Sequence, residues 1–74
     1  MEEPRMNPLK YYRIKAHMTQ EQLALAANVQ LTTIQKIERN STNIAGIRLE
    51  TAYSLATALG IYTEDLLFVP EGEE

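Results

Sequence analysis

Cysteine and tryptophan are absent from this 74-residue chain, histidine and phenylalanine occur once each, and glycine and proline three times each. Without cysteine there is no disulfide framework and no thiolate metal site, which fits a reducing compartment. The single histidine, His17, has no second ligand type at metal-ligand spacing, so it reads as a turn residue rather than a metal ligand or general base. The glycines are scattered, so no glycine-rich loop exists to cradle phosphate. No apolar run approaches the roughly 20 residues that span a bilayer. The opening MEEPRMN is acidic and lacks the apolar segment of a signal peptide. Glu64 and Asp65 are adjacent carboxylates, but at a helix start, where the dipole explains them without acid–base chemistry. The expectation is a cytoplasmic chain that is not an enzyme and takes neither metal nor cofactor.

What is present is enough apolar matter, 45% of residues, for one small domain. A domain of this size buries only about 60% of its unfolded surface, so its apolar residues must be used efficiently. The net charge of −3 argues at first against a nucleic-acid partner, but its distribution reverses that impression. All seven cations (Arg5, Lys10, Arg13, Lys15, Lys36, Arg39, Arg48) precede position 49, where the interior acids are Glu21 and Glu38. The other acids lie at the two ends. One part of the molecule is positive and another negative, which suits a module oriented on DNA; acidic tails added for solubility give the same pattern.

The stretch Gln20–Glu38, QEQLALAANVQLTTIQKIE, organises the rest. Leu23, Ala24 and Ala27 share one face of a short helix. Asn28 tolerates the left-handed conformation that closes it, Val29 tucks inward, and Ile34 and Ile37 make a second apolar stripe. This is helix-turn-helix spacing. Before it, Asn7-Pro8 opens a helix running to about Ala16, with Leu9, Tyr12, Arg13 and Ala16 as its inner stripe. Thr19 and Gln22 form a capping box for the second helix. After it, RNSTNIAGI is a loop anchored by Ile44 and Ile47. A fourth helix, Leu49 to Leu59, has its stripe at Leu49, Ala52, Leu55, Ala56 and Leu59 and Gly60 as its C-terminal stop. Thr63, Glu64 and Asp65 open a final short helix carrying Leu66 and Leu67.

Arg13 and Glu38 each interrupt an apolar stripe, so a semi-buried ion pair is expected to tie the first helix to the third. The third helix, from about Leu31 to Arg39, turns Leu31, Thr32, Gln35, Lys36 and Arg39 outward. An amide, a hydroxyl, two cations and a small apolar group suit base edges and phosphate; an ordinary solvated helix face carries the same groups. Gln20 lies at the exposed start of the second helix, where N–H groups attract phosphate, and Asn40 and Ser41 follow the outer face with further polar groups.

The run T-Q-E-Q-L-A-x-x-A-N-V-x-x-x-T-I-x-K-I-E, then L-E-T-A-x-x-L-A-x-A-L-G-I and E-D-L-L, resembles the Cro/cI-type (XRE-like) helix-turn-helix domains over roughly Leu9 to Leu67. The resemblance implies an all-α, compact five-helix bundle of the lambda-repressor-like DNA-binding type, with helices 2 and 3 forming the helix-turn-helix. It implies a sequence-specific transcriptional regulator, a repressor of phage or mobile-element type, binding double-stranded operator DNA as a homodimer on palindromic half-sites. Gln20 then matches the glutamine that touches phosphate and the outermost base. Leu31, Thr32, Gln35 and Lys36 match the positions that look into the major groove, and Arg39, Asn40 and Ser41 the end that grips the backbone. Arg13 and Glu38 match a structural ion pair. By analogy the dimer interface falls on Leu66, Leu67, Phe68 and Val69. Asn28 stands where the family usually has glycine, and Gln30 where it often has a serine cap.

The expected organisation is a flexible N-terminus at 1–7, the helix-turn-helix domain at 8–69 and a disordered acidic tail at 70–74. The alternative function is an antitoxin-like or adaptor module on the same fold with weak DNA affinity, which the acidic balance, Leu25 and the apolar Leu67-Phe68-Val69 segment favour.

Overall fold

Asn7 starts the first helix: its side-chain oxygen accepts from the Leu9 and Lys10 amides at 2.8 and 3.2 Å. Pro8 follows at the first helical position, where a missing N–H costs nothing. Asn7 is only 6% exposed, so the loose segment expected at 1–7 does not include it. The computed structural model describes residues 7–40 and 47–67. Residues 1–6, the loop anchor Ile44 and the tail expected at 70–74 lie outside that range.

Four α-helices occur among the described residues: α1 (Pro8–Lys15), α2 (Gln20–Ala27), α3 (Leu31–Asn40) and α4 (Leu49–Leu59). The all-α expectation holds, but the bundle is not built of five α-helices. The fifth segment, Thr63–Leu67, is a 3-10 helix. Asp65 returns its N–H to the Tyr62 carbonyl at 2.9 Å, while its carboxylate accepts from the Tyr62 N–H at 2.9 Å.

Helices α1, α2 and α4 stop by one device. His17, Asn28 and Gly60 adopt left-handed backbone, with φ of 60°, 58° and 73°. The next residue each time, Met18, Val29 or Ile61, returns its N–H to the carbonyl five residues back (Arg13, Ala24, Ala56) at 3.1, 3.0 and 3.0 Å. The three apolar side chains so delivered all pack against the core. α2 also has its capping box, with Thr19 Oγ1 accepting from the Gln22 amide and Gln22 Oε1 from the Thr19 amide.

The core takes one large, fully buried side chain from each element: Leu9, Leu23, Ile34, Leu55 and Leu66. Each contributes about 1.5–3 kcal/mol over an exposed counterpart. Buried alanines on α2 (Ala24, Ala27) and α4 (Ala52, Ala56) permit the close packing of those two helices. α4 also carries the 3-10 helix, while α3 leans on α1 and α2. Three expectations change. Ala16 is exposed, because α1 ends at Lys15 and the chain turns away through His17. Leu49 is 77% exposed, because it begins α4 a full turn outside the buried stripe that starts at Ala52. Leu66, expected at a dimer interface, is 1% exposed and belongs to this chain's own core.

Candidate nucleic-acid interface

α3 buries Ile34 and Ile37 and is held near its C-terminal end at two points on its inner side. Asn7, whose oxygen caps α1, donates its Nδ2 to the Ile37 carbonyl at 3.1 Å. That carbonyl is one of the last four of α3, which have no partner within a helix ending at Asn40. One side chain therefore starts α1 and closes α3.

The second point is the Arg13–Glu38 ion pair. Arg13 Nε donates to Glu38 Oε2 at 2.8 Å and Nη2 to Oε1 at 3.1 Å, a two-pronged contact between side chains 12% and 5% exposed. The remaining prong, Nη1, donates to the Met18 carbonyl at 2.8 Å, so the guanidinium also pins the α1–α2 turn. Glu38 Oε1 further accepts from Gln20 Nε2 at 3.0 Å. Among the described residues no buried side-chain polar atom lacks a partner.

Opposite Ile34 and Ile37 on α3, Thr32, Gln35, Lys36 and Arg39 are all exposed, at spacings that align them on one face. Leu31 is half-buried and packs against the core, so it gives this face only part of its side chain. Gln20 is half-buried at the start of α2. Asn40 is the last residue of α3, one beyond the expected end, and Ser41 lies outside the described residues. Glu38, the acid of α3, is turned inward and neutralised by Arg13. The outer face therefore carries two cations and no carboxylate of its own helix, and among the described residues neither Lys36 nor Arg39 enters an ion pair.

A helix-turn-helix family profile matches residues 9–66 of the chain. The chain belongs to the XRE-like helix-turn-helix family. An uncharacterised HTH-type transcriptional regulator of Methanocaldococcus jannaschii is 37% identical to it over 68 residues, covering 92% of this chain and 97% of that protein. No solved structure matches the chain.

In this helix-turn-helix, α2 and α3 meet across Asn28, Val29 and Gln30. Elsewhere in the described residues no group of three or more His, Cys, Asp and Glu side chains is placed to hold a metal ion. No helix there is long and apolar enough to cross a membrane. Of the residues expected in the site, the fold brings Thr32, Gln35, Lys36 and Arg39 onto one exposed face of α3 and bonds Gln20 to Glu38 of the same helix. Leu67 is 53% exposed on the 3-10 helix, away from its buried neighbour Leu66, while Phe68 and Val69 lie outside the described residues. Sequence reasoning missed the Gln20–Glu38 bond, the donor end of Asn7 and the left-handed backbone of His17. A signal existed for the first two: a carboxylate accepts more bonds than one guanidinium fills, and an asparagine cap keeps an unused NH2.

Proposed function

We propose that this helix-turn-helix protein is a sequence-specific DNA-binding transcriptional regulator, of the repressor type found in phages and mobile elements, which reads the major groove with α3. The exposed face of α3 carries the reading: Thr32, Gln35, Lys36 and Arg39 stand on a helix whose other side is pinned by Asn7 and by Arg13–Glu38. Thr32, Gln35, Lys36 and the outward part of Leu31 face base edges, with Leu31 suited to a thymine methyl. Arg39, Asn40 and Ser41 grip phosphate, and Gln20 approaches from the start of α2. Family membership and the named transcriptional regulator among its relatives support the same reading.

The protein acts as a homodimer on a palindromic operator, and Leu67 with Phe68 and Val69 is the proposed contact between copies. Selection of bound sequences from a random DNA pool tests both points: enrichment of a two-fold site with half-sites about one helical turn apart is expected. Enrichment of nothing, in low-salt buffer, would sink the reading.

The alternative, an antitoxin-like or adaptor module, is favoured by one observation, Leu25 standing 83% exposed on α2. Under that alternative, a stable heterologous partner is captured and no DNA pool is shifted.

A further inference from the structure

Glu38 has a second client besides Arg13. Its Oε1 accepts from Arg13 Nη2 at 3.1 Å and from Gln20 Nε2 at 3.0 Å, while Oε2 is taken by Arg13 Nε at 2.8 Å. A carboxylate can only accept, so the Gln20 amide must turn its nitrogen toward it, which settles which way the amide faces. Glu38 is itself fixed, being 5% exposed and gripped by both prongs of a guanidinium that is anchored in turn on the Met18 carbonyl. What is left of the Gln20 amide is its carbonyl oxygen and one N–H, on a side chain that is half exposed. Along α3, Glu38 follows Gln35 by three residues and Leu31 by seven, so the acceptor that holds Gln20 lies on the Gln35 edge of the helix.

We propose, resting on the reading of α3 as the DNA-reading helix, that Glu38 is a positioning residue for Gln20. Held by Arg13, it presents the remaining acceptor and donor of the Gln20 amide to DNA beside Gln35. An untethered glutamine loses rotamer freedom when it binds; one fixed by a buried carboxylate has already lost it on folding. The Arg13–Glu38 pair thereby adjusts DNA affinity without touching DNA.

The test compares wild type, Gln20→Ala, the paired replacement Arg13→Met/Glu38→Leu, and the combination of all three changes. Replacing both charges by apolar groups of similar size costs far less stability than removing one; circular dichroism and thermal unfolding check that the variant folds. Should the paired replacement not fold, relaxation of the Gln20 NH2 in wild type decides alone: a rigid NH2 supports the positioning role and a mobile one overturns it. Affinity is read by fluorescence anisotropy on the sequence that wild type selects from a random pool. The Gln20 side-chain NH2 is followed by nitrogen relaxation in the free protein.

Gln20→Ala is expected to weaken wild-type binding roughly tenfold, but less than about threefold once Glu38 is replaced. The Gln20 NH2 is expected to be rigid in wild type and mobile in the replacement. An equal loss in both backgrounds, or a mobile NH2 in wild type, overturns the positioning role and leaves α3 as the reading helix. If wild type selects no DNA at all, both fall.

Discussion

Removing one member of the Arg13–Glu38 pair leaves a mostly buried charge without its counter-charge. Glu38→Ala, or Arg13→Met alone, should therefore cost about 3–5 kcal/mol in urea unfolding, and Arg13→Met/Glu38→Leu far less than the sum of the two singles. Additive single and double values would show that the pair is merely solvated. His17 holds a left-handed backbone that glycine adopts more easily, so His17→Gly should raise stability by about 0.5–1 kcal/mol. Gly60→Ala should lower it by about 1–2 kcal/mol, and through backbone alone, because no atom lies within 4 Å of the added Cβ. The ion pair was legible because each charge breaks an apolar stripe. His17 was not, although histidine is among the non-glycine residues enriched in the left-handed region. That it ends α1 depends on Met18 being drawn into the core, which local sequence does not state.

At the scale of elements, α3 divides its labour between a face that is pinned and a face that is free. Arg39→Ala should weaken binding to every DNA sequence alike, and Lys36→Ala should also relax preference at the base pair it faces; each should flatten the salt dependence by about one unit, measured by anisotropy across a salt series. Gln35→Ala should relax preference at one base pair, at a cost of about 1–3 kcal/mol for the favoured site. Asn7→Ala removes a cap from α1 and a partner from the end of α3 together, so it should lose about 1–2 kcal/mol and speed amide exchange in both helices. Helix ends were readable wherever capping is local, as at Asn7, Thr19, Asn28 and Gly60. The last segment was not, because a five-residue run bearing acids and leucines fits either kind of helix until packing against α1 and α4 fixes it. Leu49 and Leu66 show the same limit: their spacing marks an apolar stripe, and the placing of neighbouring elements decides which of them it buries.

In the whole molecule, five side chains from five elements make the centre, so no element can be loosened alone. Leu23→Ala should cost about 2–5 kcal/mol and shift the entire unfolding transition rather than melt α2 first, as calorimetry and circular dichroism at two wavelengths would report. The chain is acidic overall, yet the acid of α3 is spent on Arg13, and the outer face of that helix keeps its two cations. Net charge misleads here because it averages over a surface that the fold has sorted. The salt dependence of DNA affinity, compared between wild type and Lys36→Ala/Arg39→Ala on the same duplex, tests the role of that face most directly. Steep salt dependence in wild type, with a log–log slope shallower by about two units in the double variant, is the expected result. Equal slopes, or no DNA binding by wild type at low salt, would contradict it.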